Sequence, residues 1–292
     1  MTEIGCPSEV APLRRLLLKH PKDAFVDERC IEAQWRDLRY TARPDLKRAA
    51  SEHERFADLL RGPEIEVLCL PRDEATGLDS IYVRDAVVVS ARGAILGNMG
   101  KAQRRGEPEA SARFFESAGI PIAGRIEGEG RLEGGDVVFL DERTVAVGQG
   151  YRSNAEGIRQ LRTILGDEVT EIVPVPLPHW NGPEDVLHLM SLLSPIDIDL
   201  LLVHSRLLPA PFRQWLLARG IELLEVPDRE CATMGCNVLA LAPGRCVMLE
   251  GNPRTRRLLE GAGCEVLTYE GKEISLKGAG GPTCLTRPLL RG

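Results

Sequence analysis

The sequence predicts an α/β protein in which five copies of one ββαβ-type unit surround a pseudo-five-fold axis. Three observations carry this expectation. A helical pattern followed by a short apolar strand recurs five times. The strands begin about 43 to 56 residues apart, a period that signals repeat architecture. Most copies also hold two further apolar runs split by a turn, the pattern of a β-hairpin.

In chain order, the run 13–18 reads as a strand. Residues 20–45 fit no copy; they are polar and read as loop-rich, a candidate mobile lid. The five helix ends and following strands are 56–60 into 65–70, 114–116 into 119–122, 160–165 into 169–173, 215–217 into 220–226, and 257–259 into 263–267. Hairpins are expected at 85–90 with 94–96, 137–140 with 144–147, and 238–241 with 246–249. Pro44, Pro108, Pro211 and Pro253 mark first helical turns, where a missing N–H costs nothing. The fifth copy is short. The run 13–18 can supply its missing strand, pairing the two ends of the chain and leaving no open edge. All 292 residues are then one domain.

Composition bounds the function. With 43% apolar residues the chain can bury a substantial core. A net charge of −6 argues against a general nucleic-acid binder. No run approaches the roughly 18–20 apolar residues a membrane helix needs. The first residues lack a signal-like apolar stretch, so a cytoplasmic protein is expected. The eight cysteines are then free thiols rather than a disulfide framework. Cys69 and Cys246, in apolar runs, read as small core residues. Cys231 and Cys236 lack a second pair at metal spacing, so no zinc site is expected there.

Residues able to do chemistry recur at comparable points of the repeat. The first copy has Asp79 and Asp85, the second Glu133 and Asp136, the third His188, and the fifth Cys284. Closing the ring would bring a nucleophile, a proton carrier and several anions together. A thiol attacks only as thiolate, which a nearby cation or histidine can arrange. A histidine can protonate a departing amine and then activate water. Carboxylates would hold a cationic head. The pair Gly134-Gly135 suggests close backbone approach beside Glu133. Arg104 follows Asp85 by nineteen positions, as Arg152 follows Glu133. Arginine suits bidentate recognition of a carboxylate, so these two are candidate handles for an anionic tail.

Four motifs extend this into a family resemblance: Tyr82-Val83-Arg84-Asp85, Leu132-Glu133-Gly134-Gly135-Asp136-Val137, His188-Leu189, and Gly280-Gly281-Pro282-Thr283-Cys284. They resemble the guanidine-modifying superfamily, the penteins or α/β-propellers. Its members include arginine deiminases, dimethylarginine dimethylaminohydrolases and amidinotransferases. The likeness runs from Leu13 to Leu289. The short chain and the spacing of Asp79 and Asp85 resemble the dimethylargininases. Arg84 beside Asp85 and the Gly-Gly-Pro-Thr-Cys run are closer to deiminases, but Met190 stands where deiminases carry an acid.

The resemblance implies hydrolysis of a guanidinium C–N bond of arginine or an Nω-methylated arginine, giving citrulline and an amine. Cys284 would be nucleophile and His188 acid and base, oriented by Glu133. Asp79, Asp85 and Glu133 would hold the head, and Arg104 and Arg152 the tail. It implies neither metal nor cofactor. The expected partner is a small guanidino amino acid, with a homodimer allowed. Arginine deiminase or dihydrolase activity, amidino transfer, and a non-catalytic binding propeller are the rival readings.

Overall fold

Short apolar runs need partners on both faces. In the computed structural model, which describes residues 3–62 and 64–292, they find them in five three-stranded sheets. Elements are labelled in chain order. The first sheet is centred on β1 (Leu13–Leu18). After β1 come three helices, α1 (Pro21–Ala24), α2 (Glu28–Gln34) and α3 (Leu46–Leu60), then β2 (Glu66–Cys69), parallel to β1.

The second sheet is the hairpin β3 (Val87–Ser90) and β4 (Gly93–Leu96), then α4 (Glu107–Ser117) and β5 (Ile122–Arg125). The third is β6 (Val137–Asp141) and β7 (Thr144–Gln149), then α5 (Ala155–Leu165) and β8 (Glu171–Pro176). The fourth is β9 (Leu193–Asp197) and β10 (Leu200–Val203), then α6 (Ala210–Ala218) and β11 (Glu222–Glu225). After the short α7 (Asp228–Cys231) comes the fifth: β12 (Val238–Ala242) and β13 (Arg245–Leu249), then α8 (Pro253–Gly261) and β14 (Glu265–Tyr269). In each of these four the hairpin is antiparallel and the strand after the helix is parallel.

The first sheet has the same form with its hairpin cut. Its outer antiparallel strand is β15 (Arg287–Arg291), which follows α9 (Pro282–Leu285). Leu16 stands opposite Pro288 and Leu17 opposite Arg287. The ends of the chain therefore close the ring, as the sequence suggested. The fold is the five-fold pseudosymmetric α/β pentein architecture.

The core is not one mass but five apolar wedges, each between neighbouring sheets. Val88 and Ile95 of the second sheet meet Val137 and Val145 of the third. Val138 and Ala146 meet Leu193 and Leu201. Ile196 and Leu202 meet Val238 and Met248. Leu239 and Val247 meet Leu13 and Leu16, and Leu17 and Leu289 meet Val87 and Leu96. Each sheet is covered on both faces, which is why β3, β4 and β10 are buried at every residue and read as continuous apolar runs.

Three expectations are corrected. Residues 20–45 are not loop throughout: α1 and α2 lie within them. Asp27 caps α2 by accepting from the Cys30 N–H at 2.8 Å. Phe25, Ile31, Leu38 and Tyr40 are buried in the same wedge as Leu16, so the segment is anchored by its apolar side chains. Cys69, assigned to the core from its apolar run, is exposed because its edge strand turns it outward, whereas Cys246 is buried. Pro108, Pro211 and Pro253 do sit in first helical turns, but Pro44 lies one residue ahead of Asp45, the cap of α3.

Leu16 is fully buried at the seam where the chain ends meet. Leu16→Ala should lower unfolding free energy by about 2–5 kcal/mol. Leu258→Ala, on the exposed side of α8, should change it by about 0.5 kcal/mol or less. Denaturant titrations followed by circular dichroism compare the two.

Candidate active site

The chemically able residues occupy one structural position repeated around the ring: the turn entering each hairpin. Asp79 lies in the 3₁₀ turn Leu78–Ile81, and Asp85 stands just ahead of β3. Glu133 caps the turn Gly134–Asp136 that leads into β6. His188 caps the turn Leu189–Ser191 ahead of β9. Asn237 immediately precedes β12, and Cys284 sits in α9 ahead of β15. The entry turns converge on a cavity of about 800 Å³, walled by Asp79, Asp85, His188, Asn237 and Cys284.

Glu133, expected to help hold the head, lies instead behind that wall with no solvent exposure. Its Oε1 accepts from the Gly100 and Lys101 N–H groups at 2.9 and 3.2 Å. Its Oε2 lies 2.7 Å from His188 Nε2 and 3.0 Å from Arg152 Nη1. Burial would raise this carboxyl, but the His188 hydrogen bond and the Arg152 charge outweigh it and hold it well below the usual range. For His188, burial alone would favour the neutral ring. Asp85, whose Oδ1 is 3.8 Å from Nδ1, together with Asp136 and Glu133, reverses this and lifts the imidazole to about 9. The ring therefore carries its proton at neutral pH. Asp85, Glu133 and His188 offer ligand atoms within 4.8 Å of one another.

Asp136 fixes the histidine turn: Oδ1 accepts from the Leu189 N–H at 3.0 Å and Oδ2 from Ser153 Oγ at 2.6 Å. Burial, opposed by His188, leaves its carboxyl raised to about 6. The Gly-Gly pair is a close approach. A Cβ on Gly135 would stand 2.7 Å from Asp85 Oδ1 and 2.8 Å from His188 Nδ1, well inside contact distance.

Each acid expected to grip a cation already has a resident base. Asp79 Oδ2 accepts from Lys101 Nζ at 2.6 Å. Asp85 pairs with Arg104. Arg104 is buried and donates also to Glu107 Oε1 and Oε2, at 2.9 and 2.8 Å, and to the Tyr82 carbonyl at 2.9 Å. The expectation that Arg104 offers itself to a substrate carboxylate is thus corrected. A guanidinium with every nitrogen engaged inside the protein positions Asp85 instead. Glu107, lifted by burial against the pull of Arg104, stands near 7. Both arginines line the cavity; Arg152 has one side of its guanidinium on Glu133.

Cys284 is partly exposed to the cavity. Its loop is tied down from both sides. Asn237 Oδ1 accepts from the Thr283 N–H and Oγ1, both at 3.0 Å, and Asn237 Nδ2 lies 3.6 Å from the sulfur. Arg84 is fully buried, donates to the Thr283 carbonyl at 2.8 Å and pairs with Glu9. Burial first, and Asp85 second, push the thiol up, so it rests protonated. Sequence reasoning missed Asn237 and Lys101. Asn237 could have been found by its place: it precedes a hairpin as Asp85, Glu133, His188 and Cys284 do. Nothing local marks Lys101, whose partner is twenty-two residues away.

A family model described as N,N dimethylarginine dimethylhydrolase, eukaryotic, matches residues 29–291. The chain is 31% identical to an uncharacterised protein of Bacillus subtilis (strain 168) over 291 residues, 98% of this chain and 95% of that one. It is 28% identical over 247 residues to the N(G),N(G)-dimethylarginine dimethylaminohydrolase of Pseudomonas aeruginosa, covering 85% of this chain and 91% of that protein. Among solved structures, a dimethylarginine dimethylaminohydrolase variant captured as an adduct with S-methyl-L-thiocitrulline superposes with a TM-score of 0.76 at 25% identity. The match covers 96% of this chain and all of that one.

The His188 ring should titrate near pH 9 by NMR, and Glu133→Gln should move it toward the ordinary 6.5. The folded value lies above the unfolded one. Protonated His188 therefore stabilises the fold fully below pH 6.5, and that contribution is lost as the pH rises through about 9. Stability of the protein should fall more steeply over that interval than stability of His188→Asn.

Proposed function

Because the chain belongs to the N,N-dimethylarginine dimethylhydrolase family and is a hydrolase of guanidino C–N bonds, we propose that it cleaves arginine or an Nω-methylated arginine. The products are citrulline and ammonia or a methylamine. The observation that carries this reading is the shared wall: a thiol, a protonated imidazole and two carboxylates face one cavity. That set fits a planar cation with an electrophilic carbon.

Asp79 and Asp85 hold the guanidinium, and Lys101 yields its place on Asp79 as the cation arrives. Before that, the thiol is inert. A cation bound beside it favours the thiolate electrostatically. His188 already carries a proton and cannot accept another, so the thiol proton leaves to solvent. The thiolate then attacks the guanidinium carbon. As the tetrahedral intermediate collapses, His188 gives its proton to the departing amine. The remaining species is an S-linked thiouronium on Cys284. Neutral His188, kept in place by Glu133, next takes a proton from water, which attacks the same carbon. The C–S bond breaks, releasing the ureido product and the thiol. Arg152, on the cavity wall, binds the α-carboxylate of the amino acid.

Arginine, monomethylarginine, dimethylarginine and agmatine are to be incubated separately with the protein, and ammonia, methylamines and ureido products assayed. Ureido product from an α-amino acid guanidine but not from agmatine is expected. Formation of an amidino adduct on an added amine, with no ureido product, would instead favour transfer. Cys284→Ser should lower kcat by at least about a thousandfold with an unchanged circular dichroism spectrum. Arg152→Ala should raise KM roughly ten- to a hundredfold. An unaltered KM would remove Arg152 from substrate binding.

A further inference from the structure

The fourth sheet builds a second cysteine–histidine–carboxylate array on the wall of the same cavity, apart from the groups assigned above. His204 follows β10, while Asp228 and Cys231 begin and end α7. His204 Nε2 lies 3.1 Å from Asp228 Oδ1, and His204 Nδ1 lies 3.4 Å from Cys231 Sγ. Arg206 pairs with the other oxygen of Asp228. All four residues line the cavity. An imidazole that donates through Nε2 to Asp228 leaves its Nδ1 lone pair toward the thiol, the orientation a general base requires. Of the described cysteines, Cys231 alone has an imidazole nitrogen within hydrogen-bond distance. Cys6, Cys236, Cys246 and Cys264 are buried in wedges, whereas Cys231 is half-exposed.

We propose that Cys231 is a second nucleophilic thiol, which captures small disulfides from solution by thiol–disulfide exchange with His204 as base and Asp228 as its orienting group. The thiol rests protonated, because burial and the nearby Asp228 charge push it up. His204 Nδ1 takes the S–H proton as the sulfur attacks. The new bond joins Cys231 Sγ to the nearer sulfur of the disulfide, and the S–S bond of the disulfide breaks. The departing thiolate takes the proton from the imidazolium. Cys231 is oxidised to a mixed disulfide, the other half of the reagent is reduced to a thiol, and His204 returns to its starting state. The adduct projects from the wall that Cys284 shares, so it narrows the route to the catalytic thiol until a reductant removes it.

The test uses the full chain carrying Cys284→Ser, which removes the catalytic sulfur, and oxidised glutathione as the disulfide. Residue-resolved mass spectrometry follows glutathionylation of Cys231 against Cys69, the exposed cysteine. Cys231 should react at least about tenfold faster than Cys69, and dithiothreitol should reverse the modification. His204→Asn should bring the Cys231 rate down to that of Cys69. Asp228→Asn, a change at an exposed side chain that the fold tolerates more easily, should also slow it. Cys231 reacting no faster than Cys69, or at a rate that neither substitution changes, would overturn the proposal.

Discussion

Glu133 is cut off from water, and a buried charge is tolerated only when it is paired and hydrogen-bonded. Its partners come from three different sheets. The Gly100 and Lys101 amides follow the second hairpin, Arg152 follows the third, and His188 leads into the fourth. Satisfying this one side chain therefore fixes the relative placement of three sheets. The same contacts set the chemistry. The carboxylate that orders the sheets also keeps the imidazole charged and turned toward the cavity.

Around it the cavity is electrostatically balanced before any ligand enters. Lys101 neutralises Asp79, Arg104 neutralises Asp85, and Arg152 shares Glu133 with His188. Burial still lifts Asp136 to about 6 and, against the pull of Arg104, Glu107 to about 7. A cationic ligand thus competes with an internal base rather than filling a bare anionic hole. This exchange limits the affinity that charge alone can give and leaves selectivity to shape.

Much of this was legible in the sequence. The period was readable because inner strands such as β3, β4 and β10 are buried on both faces and so appear as apolar runs between turns. Closure was readable because the run 13–18 had no partner of its own. The entry-turn position of Asp85, Glu133, His188 and Cys284 followed from the repeat. What stayed hidden depends on side-chain direction. The helices at 20–45 were concealed because their polar faces dominate the composition, while a few residues such as Phe25 and Ile31 do the anchoring. Arg104 looked like the twin of Arg152 by spacing, yet its guanidinium is taken up by Glu107, the first residue of α4, and by Asp85. The fourth hairpin was overlooked, and with it the His204–Cys231 contact.

The split first sheet carries a cost during synthesis. β1 is synthesised well before β15, and β2 joins it first. Its other edge stays unpaired until β15 arrives, since Leu13 and Arg291 are partners. An apolar strand with an open edge recruits whatever strand is near. Chaperone engagement would therefore concentrate on nascent β1. The cavity wall that carries Cys284 would be completed in a single late step, when β15 docks and seals the ring.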